Sequence, residues 1–268
     1  MPARPSSEPD PAPVGGSGTR VTGRLRSCRA GLALHARRFR PADQGIVAVE
    51  FALILPTLLL LLLAGAQVIT YVDATRKVDL VAQSISQMIS RAAPPTGQTV
   101  AKVDAGDLHF SYDSTLVLFP YVMRDARRQG IAWYRDISVN YAGIQFKQKS
   151  STCPSSADMS ACYTANVVWT STGASQPSEG ANYRPCGTAL TAVDDKAAPS
   201  RTTLPRSAYG AASLVVIDVV FTFKPTFASG ILPSVRIARS AYVMPRYASF
   251  VDYDLTNSDG IATRCPGF

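Results

Sequence analysis

Histidine is scarce in this 268-residue chain, which has only His35 and His109. Neither one supports a Ser-His-Asp or Cys-His arrangement for nucleophilic catalysis. The sequence also lacks a Walker-type phosphate loop, a His-Glu-x-x-His motif and a Cys-x-x-Cys pair. We therefore predict no catalytic residues, no cofactor and no enzymatic activity.

A single segment has the oxygen-rich composition of a calcium loop, and it is DYDLTNSDG at residues 252–260. An EF-hand loop requires glycine at its sixth position, and Asn257 stands there instead. A solvated turn accounts for the segment better, so we predict no metal site.

Lysine is absent from the first 45 residues, although the chain has a net charge of +8. Residues 1–45 carry eight arginines and three acids, which leaves a charge of +5 there, and the rest of the chain carries only +3. Most of the basicity therefore belongs to a leader rather than to a nucleic-acid-binding face, and we predict no nucleic-acid partner. Because the leader is rich in Pro, Gly, Ser and Arg, we also predict that residues 1–45 are disordered.

The one long apolar run predicts a membrane-spanning helix over residues 46–72. From 51 to 66 every residue except Thr57 is apolar, and the flanking apolar residues extend the run beyond the ~20 residues that cross a bilayer. Four arginines of the leader lie within about 20 residues of it, which favours a cytoplasmic N-terminus. We predict a single-pass protein of the inner (cytoplasmic) membrane with an extracytoplasmic C-terminal domain.

Glu50 lies inside the front end of this run, where an acid calls for an explanation. An acid at the centre of a membrane helix costs roughly 2.5 to 3.5 kcal/mol on insertion scales, so such residues are functional by default. Three fates of the run are open: a permanent anchor, a signal peptide cut after Ala66, and a precursor cut after Gly45. An ordinary signal peptide is shorter and has no acid in its apolar core, and a bare anchor leaves Gly45 and Glu50 unexplained.

The segment GIVAVEFALILP resembles the processing site of type IV prepilins and is most similar to the TadE family of tight-adherence (Flp) pili. The resemblance rests on Gly45, the four-residue gap, Glu50, the aromatic Phe51 and Pro56. The segments VDATRKVDLVAQSISQMISRA, ASLVVIDVVFTFKPTF and VRIARSAYVMPR are also similar to later parts of that family. The family implies a minor pilus subunit that a prepilin peptidase cuts between Gly45 and Ile46. Its implied partners are the inner membrane, that peptidase and other pilin and pilus-assembly subunits.

Elementary chemistry explains why these residue types occur in this segment. Glycine leaves the backbone uncovered for a peptidase, and Gly45 is expected in an extended stretch before the helix. Cleavage would place Glu50 one helical turn from the new amine of Ile46, at a helix end whose dipole favours an anion. The resemblance implies that Glu50, beside Phe51, meets the amine of a neighbouring subunit during assembly. Pro56 is expected to kink or loosen the helix.

Beyond the membrane, the pattern predicts an α+β domain of pilin-like layout, with a long helix packed on an antiparallel sheet. Residues 73–93 are predicted to continue the helix as an amphipathic segment that stops before Pro94, with its apolar stripe on its own domain. Residues 94–268 are predicted to be β-rich. The predicted strands are 108–119, 132–148, 163–170, 213–223 and 235–243, and the predicted stripe is Val78, Val81, Ala82, Ile85, Met88, Ile89 and Ala92.

Four cysteines follow the membrane segment: Cys153, Cys162, Cys186 and Cys265. An even number of cysteines in an extracytoplasmic compartment predicts disulfides. Four cysteines allow three pairings, and all three remain open at this point. The rival to the pilin interpretation is an uncleaved, signal-anchored envelope protein whose outer domain binds a ligand or partner.

Overall fold

The longest element of the computed structural model is helix α1, Gln44–Ser90. The structure describes residues 44–149, 153, 158–173, 184–227, 230 and 232–268, so the predicted leader lies outside the described residues. The chain divides into two compact units, residues 1–62 and 63–268, and α1 contributes to both. The helix ends at Ser90, before the proline pair that was predicted to stop it.

Short helices and strands build the rest of the second unit. The helices are α2 Ala105–Leu118, α3 Tyr121–Gln129 and α4 Met159–Cys162, with 3-10 turns at Trp133–Arg135 and Arg206–Ala208. The strands are β1 Val100–Val103, β2 Ile137–Gln148, β3 Tyr163–Ser171, β4 Ala189–Val193, β5 Thr203–Pro205, β6 Leu214–Phe223, β7 Val235–Val243, β8 Phe250–Tyr253 and β9 Ala262–Arg264.

Within the described residues, seven strands form the main sheet in the order β5-β4-β3-β2-β6-β7, with β9 also paired to β3. Strands β3, β2, β6 and β7 pair antiparallel, whereas β4 and β5 pair parallel. Strands β1 and β8 form a separate parallel pair. The α+β prediction is confirmed, and the sheet is mixed rather than purely antiparallel.

The strand predicted over 108–119 is wrong, because this segment forms helix α2. Asp104 caps the helix by accepting from the backbone N–H of Asp107, whose side chain accepts from the Asp104 N–H in return. Leu108, Ser111, Tyr112 and Thr115 are buried at helical spacing. The capping pair and this spacing outweigh the β-branched and aromatic composition that suggested a strand.

The other predicted strands are present with small changes. Strands β3, β6 and β7 match their predictions closely, while the segment predicted as a strand over 132–148 begins with a 3-10 turn and becomes extended only at Ile137. The stretch 171–208, in which no strand was predicted, contains β4 and β5 in its described part. Strands β1, β8 and β9 have three or four residues each, too few for a clear alternating pattern.

The second part of α1 packs its apolar stripe on its own domain, as predicted. The buried stripe residues share one core cluster with strands β2, β6 and β7, and they are Ala74, Val78, Val81, Ala82, Ile85 and Ile89. Met88 was predicted in this stripe but is 40% exposed. At 3.6 residues per turn Met88 lies about 80° from the centre of the stripe, at its edge.

The main sheet is covered on both faces. Along β6, Val215, Ile217 and Val219 belong to the cluster under α1, whereas Leu214 and Val216 belong to a second cluster. This alternation explains why β6 is an almost continuous apolar run. The sheet therefore has a second core on the face away from α1.

Gly143 makes room for the largest buried side chain of the domain, Trp169. The two residues are directly opposite each other on β2 and β3, and a Cβ at position 143 would lie 2.0 Å from the Trp169 Nε1. That indole nitrogen donates to the Val251 carbonyl at 2.8 Å. The bare glycine thus lets Trp169 connect the main sheet to β8.

The structure selects one of the three cysteine pairings, joining Cys153 to Cys162 and Cys186 to Cys265. The first bond closes a separation of 9 residues and the second a separation of 79. A crosslink across a longer loop removes more entropy from the unfolded chain. The Cys186–Cys265 bond is therefore the main covalent restraint on the segment that carries β4 and β5.

Arg184 and Asp218, which lies on β6, form a buried ion pair. Arg184 donates from Nε to Asp218 Oδ2 at 2.6 Å and from Nη2 to Oδ1 at 3.1 Å, and its Nη1 reaches the Thr203 carbonyl at 2.8 Å. Ser240, opposite Asp218 on β7, donates its hydroxyl to the same carboxylate. Both charges lie out of solvent and are satisfied by fixed partners.

Two carboxyl groups, Asp125 on α3 and Asp136 before β2, form a second buried polar cluster. Gln129 Nε2 donates to Asp125 Oδ2 at 2.8 Å and to Asp136 Oδ1 at 3.1 Å. Burial, and then the charge of Asp125, raises the pKa of Asp136 from 3.8 to about 7. Arg128 binds Asp125 and donates to the Pro225 carbonyl at 2.9 Å, which ties α3 to the end of β6.

Replacing Arg184 with methionine should leave Asp218 as an uncompensated buried charge. We expect a loss of about 3 to 5 kcal/mol in the free energy of unfolding. Arg206→Met removes only a surface contact with Asp158, because the Arg206 side chain is 58% exposed, and should cost less than about 1 kcal/mol. Urea unfolding of the full chain in detergent measures both values, and equal losses would contradict the role given to the buried pair.

The Asp136 cluster also predicts a pH dependence of stability. Because the pKa of Asp136 is higher in the folded state than its ordinary value of 3.8, its contribution is complete below that value and is lost as pH rises through about 7. Asp136→Asn, which keeps an acceptor for Gln129, should flatten the decline in unfolding free energy between pH 4 and 8. Asp113→Asn, at an exposed position on α2, serves as the control and should leave the decline unchanged.

Candidate assembly and cleavage segment

The candidate segment is the first part of α1, and it is a continuous exposed helix. Every residue from Val47 to Leu62 is exposed. A helix satisfies its own backbone hydrogen bonds and here presents apolar side chains all round, which is the arrangement that suits lipid or contact with other helices. Of the described residues, only α1 is long and apolar enough to cross a membrane.

The predicted cleavage bond lies within the first turn of this helix. Because α1 begins at Gln44, Gly45 and Ile46 have helical backbone rather than the extended conformation expected before the helix. Glycine is the residue whose helical conformation is the easiest to unwind, since it gains the most backbone freedom on leaving a helix. The predicted site is thus at a helix end where a peptidase must open a single turn.

Glu50 lies one turn beyond the predicted new N-terminus. It follows Ile46 by four residues in α1, so the two positions share one helix face. Glu50 is exposed, and no ion pair to it occurs within the described part of the chain. Its carboxylate is therefore free to meet a cation at the helix N-terminus, where the dipole also favours an anion.

Phe51 and Pro56 are the other two residues singled out in this segment. Phe51 is exposed, so its ring is available to a neighbouring helix or to lipid. Pro56 lies inside α1, which continues on both sides of it. Since proline has no amide hydrogen, the helix lacks one backbone hydrogen bond at Pro56.

The described residues outside α1 carry few groups suited to catalysis or metal binding. His109 lies on α2, and its Nε2 is 2.5 Å from Asp259 Oδ2 at the surface. In the 252–260 segment, Asp252 pairs with Arg264 and Asp254 with Lys102. Because each of these carboxylates has a cationic partner, the segment is built as a surface turn rather than as a cation cage.

Two features of the second unit, residues 63–268, escaped the sequence analysis. The Asp125–Asp136 cluster joins residues that are distant from any motif, and only the raised pKa of Asp136 marks it. The second is an apolar cleft beside α1, lined in part by Tyr71, Phe223 and Leu232. The residue pattern of β6 and β7 predicted these two strands. It did not predict that residues of the turn between them lie against α1.

Comparison with protein-family models gives a match to the family described as TadE-like protein, over residues 45–85. The match begins at Gly45, and every matched residue lies in α1. Searches of curated proteins and of solved structures found no match. The matched segment lies in the helix that is long and apolar enough to cross a membrane once. The resemblance predicted from the sequence is thereby confirmed over residues 45–85, where the chain is similar to the TadE-like family.

Proposed function

We propose that this chain is a minor pilin-like subunit of a tight-adherence (Flp, type IV-like) pilus. A prepilin peptidase cuts it after Gly45, and α1 then joins it to other pilin and pilus-assembly subunits in the inner membrane. The subunit contributes to pilus assembly and adhesion. The observation that carries this proposal is the family match that starts at Gly45 and runs along a helix whose first sixteen described side chains are all exposed.

The chemistry of Glu50 supports the assembly step. In lipid a lone ammonium or carboxylate is costly, and each charge is stabilised by pairing with the other. After cleavage the amine of Ile46 in one subunit and the Glu50 carboxylate of its neighbour form such a pair. The pairing fixes the axial register between adjacent helices, since both groups lie within one turn of the helix end.

The arginines of the leader support the orientation. Basic residues near a membrane segment stay in the cytoplasm, which puts the peptidase site on the cytoplasmic face and the disulfide-bonded domain outside. The two disulfides agree with an oxidising compartment. TadE-like pilus proteins are not an enzyme family, and in this proposal the chain is a substrate and a building block.

One observation favours the alternative of an uncut, signal-anchored envelope protein with an outer binding domain. Helix α1 starts at Gln44, so the bond after Gly45 is held in a helical turn. Proteolysis needs local unfolding of such a turn. In the alternative the leader stays attached and the outer domain carries the function.

N-terminal sequencing of the protein purified from membranes tests cleavage. We expect a start at Ile46, and we expect Gly45→Leu to abolish it because a branched side chain covers the scissile backbone. Gly65→Leu is the matched control, since its substituted side chain meets open space within the same helix. It should leave the Ile46 start unchanged.

The other possible starts distinguish the remaining fates. A start at Met1 in the unsubstituted protein refutes cleavage and supports the anchored alternative. A start at Gln67 supports a secreted protein cut after Ala66.

Glu50→Ala tests assembly separately from processing. The variant should be inserted and cut normally, but its incorporation into pili should fall at least about tenfold, because an unpaired terminal ammonium in lipid costs several kcal/mol. Asp73→Ala removes another exposed acid of α1 and should incorporate normally. Immunoblots of sheared pili against membranes measure the ratio, and normal incorporation of Glu50→Ala refutes the proposed pairing.

A further inference from the structure

An apolar surface continues from the end of the α1 apolar run onto the β6–β7 turn. On the helix, Val68, Ile69 and Val72 are exposed. On the turn, Phe227 and Leu232 are each 47% exposed, and Val235 is exposed too. Water is a poor solvent for such a contiguous patch, which marks it as a contact surface.

The turn and the helix are in direct contact within the second unit. The rings of Tyr71 and Phe223 meet edge to face, with centroids 5.5 Å apart. Both rings line the cleft that also includes Val68, Pro225 and Leu232. Pro225 and Leu232 of the turn therefore lie beside helix residues 67–71.

The β6 side of the turn is held in place by hydrogen bonds from Arg128. Arg128 of α3 donates to the carbonyls of Lys224 and Pro225, while Asp125 holds its guanidinium. The ring contact of Phe223 and the hydrogen bonds to Lys224 and Pro225 hold the β6 side of the turn. Binding through this surface would therefore cost little additional conformational entropy.

The length of the apolar run places helix residues 67–71 at the membrane surface. Residues 46–72 amount to about 27 residues, whereas ~20 cross the hydrocarbon layer, so the last of them lie in the interface. Tyr71 has the amphipathic ring that is enriched there, and the polar Asp73 and Arg76 follow. The turn that contacts Tyr71 thus meets the same interface.

The charges around the patch also fit a bilayer. Lys224 stands at the start of the turn, and Arg236 is exposed at its end. Basic side chains beside an apolar patch are attracted to anionic headgroups, while their stems extend along the apolar layer. Asp73 is the exposed acid of the neighbouring helix turn, and Arg76 on the same helix offsets it.

We propose that the β6–β7 turn and residues 67–72 of α1 form a membrane-docking surface, with Phe227 and Leu232 inserted at the boundary between headgroups and acyl chains. The ligand is the lipid bilayer itself, with a preference for anionic headgroups. This inference rests on the membrane placement of α1 in the proposed function and does not depend on cleavage. Docking would fix the outer domain against the membrane before the subunit is taken into a pilus.

Tryptophan quenching in liposomes tests the docking surface with the full chain. Phe227→Trp and Leu232→Trp place a reporter on exposed positions of the turn, and Tyr247→Trp is the matched control. Tyr247 is 65% exposed, and its neighbour Arg246 donates to the Ser90 carbonyl at the opposite end of α1. The emission of the native Trp133 and Trp169 is measured in the unsubstituted chain and subtracted.

The liposomes contain phosphatidylcholine and phosphatidylglycerol, with or without phosphatidylcholine brominated in its acyl chains. We expect bromination to quench the two turn reporters by about half, as for side chains buried 5–10 Å into the interface, and to leave Tyr247→Trp nearly unchanged. Omission of phosphatidylglycerol should weaken the quenching. Quenching of the turn reporters no greater than that of Tyr247→Trp overturns the proposal.

Two other outcomes also decide the question. Turn emission that is blue-shifted but unquenched, and that grows with the protein-to-lipid ratio, overturns the proposal and assigns the surface to a second copy of the chain. N-terminal sequencing of the same sample keeps the two proposals separate. An Ile46 start without quenching refutes docking alone, and a Met1 start with quenching refutes cleavage alone.

Discussion

The structure depends on one helix that meets two different surroundings along its length. From Val47 to Leu62 the side chains of α1 are exposed and nearly all apolar, whereas from Ala74 to Ile89 only one stripe is apolar and it is buried against the sheet. The first pattern suits lipid and the second suits a folded domain in water. Glu50, near the N-terminal end of the exposed apolar part, is its one charged residue.

The folded domain, residues 63–268, is organised around the second pattern. The stripe of α1 covers one face of the sheet, so the alternate residues of β6 need a second core on the other face. The buried Arg184–Asp218 pair joins the segment before β4 to strand β6, and Cys186–Cys265 connects the same segment to the end of β9. Near Tyr71, Arg128 of the Asp125 cluster holds the β6 side of the β6–β7 turn.

The comparison of prediction with structure shows which signals were reliable. Strands β3, β6 and β7 were found because each is long enough to show its own burial pattern. Helix α2 was missed because its composition favours a strand, although the Asp104–Asp107 capping pair was present in the sequence. Strands β1 and β8 are short and stabilise each other across 150 residues, so neither has a local signature.

The amino-acid sequence alone determined the apolar run, the position of Glu50 five residues after Gly45, the amphipathic stripe and the resemblance that the family match confirms. These are local properties, set by residues within a few helical turns of one another. Only the tertiary structure decided the pairing of the four cysteines, the raised pKa of Asp136 and the contact between the β6–β7 turn and α1. Each of these requires groups far apart in the chain to be brought together and removed from water, and that is a consequence of packing rather than of local pattern.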